Sequence, residues 1–210
     1  MYSYRFAGLD SNSGDPLGYL AGEKSSDYAK LLSVSPDELV YNGPARPTYF
    51  GALRNSFNYK NFSLSFNISY KFGYYFRRNS ISYTQLAQTW SGHKDYERRW
   101  KQAGDELITS VPSMPELLNS SRDDFYLKSE ALVEDASHIR LQDINLSYTL
   151  NKSVMKGLPL RSLQFYLYAS NLGILWSKNK EGIDPDAVPN GGALLLPAPK
   201  SIAVGIKADF

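Results

Sequence analysis

The stretch NFSLSFNISYKFGYYF, residues 61–76, decides the fold class of this chain. From residue 62 to residue 76 every even position is apolar or aromatic, whereas the odd positions are mainly Ser, Asn, Lys and Gly. A period of two residues is that of a β-strand, whose successive side chains point to opposite faces. The stretch therefore predicts one long strand with an apolar face and a polar face.

The same alternation recurs in five other stretches, so six strands are predicted in all. These stretches are YSYRF (2–6), YFGALRNSFNYK (49–60), QDINLSYTL (142–150), SLQFYLYAS (162–170) and SIAVGIKADF (201–210). The connectors between the six strands are in turn long, short, long, short and long. They cover about 9–47, the turn YKNF (59–62), about 77–136, NKSVMKGLP (151–159) and about 172–199.

This order of connectors favours a membrane barrel over a soluble sandwich. Outer-membrane barrels have short turns at one end and long loops at the other, and their lipid-facing apolar residues alternate with polar lumen residues. We therefore predict an all-β, antiparallel up-and-down meander of about six strands, with short helices in long extracellular loops. Because the smallest bacterial barrels have ~8 strands, we expect further strands from sequence that precedes Met1.

The apolar members of each alternation are the candidates for contact with lipid. They occupy the even positions of the third and fourth strands and the in-phase positions of the fifth and sixth. The predicted lipid-facing residues are Phe62, Leu64, Phe66, Ile68, Tyr70, Phe72, Ile144, Leu146, Leu163, Phe165, Leu167, Ile202, Val204 and Ile206.

Composition and motifs exclude several classes of function. The net charge of +2 offers no basic face for nucleic acid, and the absence of Cys removes thiolate metal sites. His93 and His138 lie far apart in the sequence, so we interpret them as polar surface residues rather than metal ligands. The chain has no G-x-S-x-G motif and no phosphate-binding glycine loop. We expect no catalytic residues, no metal and no cofactor, and hence no enzyme.

The longest connector contains the main candidates for ligand contact. The segment TQLAQTWSGHKDYERRWKQ, residues 84–102, predicts one or two short helices with aromatic residues at i,i+4 spacing. In one interpretation Trp90 and Trp100 pack the loop against the protein. In the other, Trp90, Trp100 and Tyr96 are aromatic platforms for a sugar or peptide ligand.

The acidic segment GIDPD, residues 182–186, admits two interpretations. Carboxylates are ligands for calcium, but calcium takes about 6 to 8 oxygens and only two side chains are offered here. Asp beside Pro is typical of turns, in which the side chain bonds to the backbone. We therefore predict a turn, and the same for Asp10 and Asp15.

Taken in order, several segments resemble the SusC/RagA family of TonB-linked outer-membrane proteins. The resemblance covers nearly the whole chain, with one departure at Ala103, where the family has Pro. The segments that carry it are YRFAGLDSNSGDPLGYL, PTYFGALRNSFNYKNFSLSF, ASHIRLQDINLSYTL, LYASNLGILWSKNKEGIDPD and LPAPKSIAVGIKADF.

The resemblance implies a larger parent with an N-terminal plug and a barrel of about 22 strands. Residues 1–210 would be the C-terminal segment of that barrel, lacking the plug and the earlier strands. The implied function is import of oligosaccharides or peptides across the outer membrane of a Gram-negative, Bacteroidetes-type cell. The implied partners are a SusD-like surface lipoprotein, the TonB complex through the missing N-terminal part, membrane lipid, and the barrel-assembly machinery, which would read Phe210 as its signal.

Two other functions remain open from the sequence. One is a secreted β-sandwich that binds carbohydrate through Trp90, Trp100 and loop tyrosines. The other is an outer-membrane barrel that anchors without transporting. A sandwich would bury both sets of alternating apolar residues, whereas a barrel would leave them for lipid.

Overall fold

The computed structural model describes residues 1–151, 155, 157, 159–188 and 196–210. The chain divides into two compact units. Unit 1 contains Met1–Ala45 and Tyr75–Glu134, and unit 2 contains Arg46–Tyr74 and Asp135–Phe210. Parts of the predicted connectors 151–159 and 172–199 lie outside the described residues.

The elements of the described residues are mostly strands. The strands are β1 (Tyr2–Ser3), β2 (Phe6–Leu9), β3 (Pro16–Leu20), β4 (Glu23–Ser25), β5 (Val40–Tyr41), β6 (Tyr49–Tyr59), β7 (Phe62–Phe72), β8 (Tyr75–Arg77), β9 (Val133–Asp135), β10 (His138–Asn151), β11 (Ser162–Ser177) and β12 (Ser201–Asp209). The α-helices are α1 (Tyr28–Leu32), α2 (Tyr83–Thr89) and α3 (Ser120–Leu127). Single 3-10 turns cover Pro36–Glu38, Lys94–Arg98, Asp105–Leu107, Glu130–Leu132 and Pro185–Ala187. Within the described ranges, no helix is both long and apolar enough to cross a membrane.

Unit 2 is built on one antiparallel sheet of five strands in the order β6, β7, β10, β11, β12. Each strand pairs with the next one of the set along the chain, as Tyr59 with Phe62 and Leu146 with Leu167. The predicted antiparallel meander is therefore confirmed. The strands run further than the alternation indicates, because β10 begins at His138 and β11 ends at Ser177.

A β-bulge in β10 explains why its first part was not predicted. Leu141 pairs with Ile68 and Asp143 pairs with Asn67, which leaves Gln142 as an extra residue between them. An extra residue shifts the two-residue period by one position, so residues before and after it follow opposite parity. Arg140 consequently lies on the polar face opposite Ser69.

The first predicted strand, residues 2–6, does not join this sheet. Tyr2 pairs with Tyr41 and Ser3 with Val40, as part of unit 1. The ring of Tyr4 packs 5.9 Å from that of Phe125, which is fully buried. The prediction that this strand belongs to the meander was wrong. Alternation shows that one face of a strand is apolar, but it does not show whether lipid or protein covers that face. Here the core of unit 1 covers Tyr4.

The strand predicted over residues 62–76 is also divided. β7 ends at Phe72, and Gly73 follows with φ +71°, a left-handed conformation that glycine adopts without strain. The aromatic side chains beyond it, Tyr74 and Phe76, are buried. The apolar alternation thus continues through the break, but its last members are covered by protein.

Two apolar clusters hold unit 1 together. The first contains Tyr28, Leu31 and Phe125, with Tyr4, Phe6, Leu20 and Leu32 packed around them. The second contains Ile81, Tyr83 and Val111, with Leu86 and Tyr96 at its edge. The short helices predicted over 84–102 are confirmed as α2 and the 3-10 turn Lys94–Arg98.

A buried carboxylate links the segments of unit 1 that follow β8. Asp95 is 0% exposed and accepts hydrogen bonds from Arg78 Nη1 at 2.5 Å, Arg98 Nη2 at 2.6 Å and Ser80 Oγ at 2.7 Å. Burial raises the pKa of Asp95, but the hydrogen bonds from Arg98, Ser80 and Arg78 outweigh this effect and lower the pKa to about 2. The charged form is therefore the one that the fold holds.

We expect Asp95→Asn to destabilise unit 1 by about 3 kcal/mol, because it leaves the buried guanidinium of Arg78 without its counter-charge. The folded pKa lies below the ordinary value of 3.8, so the stabilisation is present above that pH and is lost as the pH falls towards 2. Hydrogen exchange of residues 78–100 measures both effects. Asp37→Asn, at an exposed position, is the control; equal exchange in the two variants would contradict the prediction.

Candidate functional site

One face of the five-stranded sheet carries rows of apolar side chains that cross all five strands. Because directly paired residues share a face, the registers of the four pairs define these rows. One row contains Phe57, Leu64, Leu146, Leu167 and Val204. The next contains Tyr59, Phe62, Tyr148, Phe165 and Ile206.

These rows remain uncovered in the structure. Val204 is 78% exposed and Ile202 is 72% exposed, although both are aliphatic. All fourteen residues predicted to face lipid are exposed or half-buried, and the registers place them on this one face. Contact with lipid itself stays a prediction.

The opposite face carries the polar members of the alternation. Asp143 is buried and accepts hydrogen bonds from Arg54 Nη2 at 3.1 Å and Asn67 Nδ2 at 3.3 Å. Gln142 Nε2 donates to Ser69 Oγ at 2.7 Å. The sheet is therefore held across β6, β7 and β10 by side-chain hydrogen bonds on this face.

Tyrosines cover glycines in both edge strands of the sheet. Gly205 in β12 pairs with Tyr166, and a Cβ added to this glycine would lie 2.3 Å from the Tyr166 hydroxyl. Gly51 in β6 pairs with Tyr70, whose hydroxyl lies 2.6 Å from the corresponding position. An aromatic ring over a glycine helps to fix the register of an edge strand, and a side chain at either glycine would displace the tyrosine ring from this close approach.

A charged cluster closes the polar face at the end of β7 and the start of β10. Asp186 Oδ1 lies 2.7 Å from Lys71 Nζ, and Asp186 Oδ2 lies 3.4 Å from Arg140 Nε and 3.5 Å from His138 Nε2. Asp184 pairs with Arg140 and also accepts the backbone N–H of Asp186 at 3.0 Å. The turn predicted for GIDPD is thereby confirmed, and its carboxylates bind three basic side chains of the sheet.

The interpretation of His138 as a surface residue was wrong. Its side chain is 1% exposed, and Nδ1 lies 3.0 Å from the carbonyl oxygen of Ala136 and 3.3 Å from the Tyr74 hydroxyl. The bulge at Gln142 turns His138 onto the polar face, where the loop that carries Asp186 covers it. The hydrogen bond from His138, followed by that from Lys71, holds the pKa of Asp186 well below its usual range.

Unit 1 contains a cleft of ≈ 820 Å³ with a mixed lining. Its walls come from four parts of the chain: the loop after β2, the start of α1, the segment 99–101, and residues 113–122, which include the start of α3. The lining residues are Asn12, Ser13, Asp15, Tyr28, Arg99, Trp100, Lys101, Ser113, Met114, Pro115, Glu116, Leu117, Asn119 and Arg122.

The three aromatic candidates for ligand contact have separate positions. Trp100 lines the cleft, and its Nε1 donates to Glu106 Oε2 at 3.1 Å. Tyr96 packs against Tyr83 with ring centroids 6.4 Å apart. The guanidinium of Arg99 also lies over the Tyr96 ring, 4.0 Å from its centre. Trp90 ends α2 in a left-handed conformation and is 88% exposed, outside the cleft lining. The structure thus does not bring them together as one platform.

The charged part of the cleft could not be predicted from the sequence. Arg122 is buried, and its Nε donates to Asp15 Oδ1 at 2.6 Å across 107 residues of sequence. Asp10 forms the predicted turn by accepting the backbone N–H groups of Asn12 and Ser13 at 2.9 Å. Asp15 was predicted as a turn residue only, because no local pattern indicates a partner so distant. Among the described residues, no group of three or more His, Asp or Glu could hold a metal ion.

Known proteins resemble this chain in sequence and in fold. No family model matches the chain. It is 24% identical over 201 residues to "TonB-dependent receptor P26" of Formosa agariphila, a match that covers 84% of this chain and 18% of the receptor. Its fold matches that of the RagAB peptide importer in the open-open state, with a TM-score of 0.71 and 23% identity, and in the closed-closed state, with a TM-score of 0.72 and 23% identity.

Both structural matches cover 100% of this chain, but only 22% and 23% of the importer chain. The chain therefore spans less than a quarter of the length of the proteins that it resembles. The resemblance to SusC/RagA-type proteins is confirmed, in sequence by a TonB-dependent receptor and in fold by RagAB.

We expect Asp186→Ala to speed amide exchange in residues 183–188 by about tenfold or more, since hydrogen bonds to charged groups contribute roughly 1.5–3 kcal/mol each. The lost interactions are the hydrogen bonds from Lys71 and His138 and the ion pair with Arg140. Hydrogen exchange followed by mass spectrometry measures the change. Lys180→Ala, an exposed position in the same loop, is the matched control. Unchanged exchange in Asp186→Ala would show that the charged cluster does not hold the loop.

Proposed function

We propose that this chain, a SusC/RagA-type fragment, forms part of the wall of a TonB-dependent outer-membrane transporter. The observation that carries the proposal is the set of apolar rows that cross five paired strands and remain exposed. Water disfavours such a surface by roughly 25 cal/mol per Å² of apolar area. Acyl chains would cover the rows without any second layer of protein.

The two edge strands indicate that the sheet continues. In lipid, each backbone N–H or C=O without a partner costs several kcal/mol, so a membrane sheet must close into a barrel. The edges of this sheet are β6 and β12. We propose that these edges pair with strands from other parts of a barrel of about 22 strands, and that this chain is its C-terminal segment.

The polar face would line the lumen. Its hydrogen-bonded residues Arg54, Asn67 and Asp143 lie back to back with the apolar rows. The connections that lead into unit 1 leave from the start of β6, the end of β7 and the start of β10, which lie at one end of the sheet. We propose that this end is extracellular and that the turn at Lys60 and Asn61 is periplasmic.

The proposed activity is energised import of peptides or oligosaccharides, and not catalysis. The two kinds of protein that this chain resembles support this class, since one is a TonB-dependent receptor and the other a peptide importer. A SusD-like lipoprotein would cover the extracellular end, and a plug and TonB-contacting segment would belong to the rest of the parent. The location would be the outer membrane of a Gram-negative, Bacteroidetes-type cell.

The exposed rows disfavour the carbohydrate-binding sandwich. A sandwich buries the facing residues of its two sheets, yet Val204 and Ile206 are exposed. A barrel that only anchors would share the apolar rows, and the uptake experiment below separates it from a transporter.

Adjacent residues of β12 give a test of which face meets lipid. We expect Val204→Arg in the full protein to be destabilising, by up to about 2 to 4 kcal/mol, since Arg on the lipid face costs that much at the bilayer midplane and less towards either interface. Ala203→Arg, on the polar face of the same strand, should be tolerated. Unfolding in lipid vesicles by urea, followed by gel mobility, measures both. Equal destabilisation would contradict the assignment of the faces.

Uptake in cells tests transport and the role of the C-terminal residue together. We expect cells lacking the protein to lose TonB-dependent uptake of a labelled peptide or oligosaccharide.

Removal of Phe210 should lower the amount of assembled barrel and reduce uptake in proportion, whereas Phe210→Trp keeps an aromatic terminus and should restore both. Normal assembly without Phe210 would remove its role as signal, and unchanged uptake in cells without the protein would refute transport.

A further inference from the structure

We propose that the cleft of unit 1 binds a short peptide with apolar side chains and a carboxylate. The inference deepens the proposed function, on which it rests, by choosing peptides over oligosaccharides for this site. It is argued from the cleft alone, whose lining residues all belong to unit 1.

The inner wall of the cleft is fixed by internal bonds. Arg122 donates through Nε to Asp15 at 2.6 Å, and through Nη2 to the Ser113 carbonyl at 2.8 Å and the Ser113 hydroxyl at 3.1 Å. Trp100 lies against Gly14, where an added Cβ would meet the indole at 2.4 Å. These groups are already paired or packed, so the cleft is formed before any ligand binds.

The exposed part of the lining contains aliphatic side chains beside its polar and charged ones. Leu117 is 84% exposed and Met114 is 56% exposed, and Pro115 stands between them. The hydroxyl groups of a sugar could bond to polar lining residues such as Asn12 and Asn119, but a sugar would leave these aliphatic side chains uncovered. Apolar peptide side chains would instead bury this surface and that of Trp100.

The charge of the lining favours an anionic group on the ligand. Asp15 and Arg122 neutralise each other, which leaves Arg99 and Lys101 against Glu116. Arg99 is held in place because Nη1 donates to the Tyr96 carbonyl at 2.9 Å and its guanidinium stacks on the Tyr96 ring. A peptide carboxylate, from an acidic side chain or the C-terminus, would pair with these two cations.

Two pairs of matched variants test the site. Leu117→Asp changes an exposed leucine of the cleft, and Leu107→Asp changes an equally exposed leucine outside its lining, both 84% exposed. Lys101→Glu reverses a charge of the cleft, and Lys94→Glu does so at an exposed lysine outside the lining. None of the four side chains is buried, so each variant is expected to fold.

The probe is the peptide Leu-Asp-Leu-Glu-Leu with a free carboxylate, titrated calorimetrically into the full protein in detergent micelles. We expect Leu117→Asp and Lys101→Glu each to weaken binding by about tenfold or more, as truncation of a central interface residue does. The two control variants should bind as the unaltered protein does. Replacement of both acidic residues of the peptide by lysine, together with amidation of its C-terminus, should also weaken binding by about tenfold, the loss of the charge-assisted contact.

Several results would overturn the inference. They are equal weakening in a cleft variant and its control, no preference for the acidic peptide, or binding of maltohexaose but not of the peptide. Uptake by the same variants and by cells without the protein distinguishes a failure of the cleft inference from a failure of the proposed transport. If uptake requires the protein but the cleft variants bind the peptide with unchanged affinity, the cleft inference is wrong and the proposed transport is still supported. If cells without the protein import normally, transport itself fails.

Discussion

An uncovered apolar surface is the constraint on which the rest of this structure depends. Five antiparallel strands place Leu64, Leu146, Leu167 and Val204 side by side on one face, and these residues pair directly through backbone ladders. Water disfavours such a face, and the proposal is that lipid supplies the apolar layer that covers it. The hydrogen bonds among Arg54, Asn67 and Asp143 on the other face suit contact with water.

The long connectors are stabilised by different interactions from those of the sheet. Segments of this length are marginal unless they fold on one another, and in unit 1 they do so through two apolar clusters and buried ion pairs. Asp95 and Arg122 each join segments of the chain that have no regular hydrogen-bond ladder between them. Such pairs fix geometry because a buried charge without its partner is costly. A preformed cleft follows from this arrangement.

Particular residues show how far the sequence could predict the fold. Alternation located β6, β7, β10, β11 and β12, because a period of two is a local property of the backbone. It failed for the strand that contains Tyr4. The alternation there is the same whether lipid or a protein residue such as Phe125 covers the apolar face. It also missed the start of β10 at His138, because the single extra residue at Gln142 inverts the parity and the sequence carries no sign of it.

The sequence by itself determined the strands, their two unlike faces, the turn at Asp184 and the resemblance to SusC/RagA-type proteins, all of which depend on residues close together in the chain. Only the tertiary structure decided which apolar faces are covered by protein, which carboxylate pairs with which base, and that Trp100 and Leu117 line one cleft. The physical reason is that covering and pairing are relations between distant segments, such as Asp15 and Arg122, whose meeting is set by how the loops pack and not by any local period.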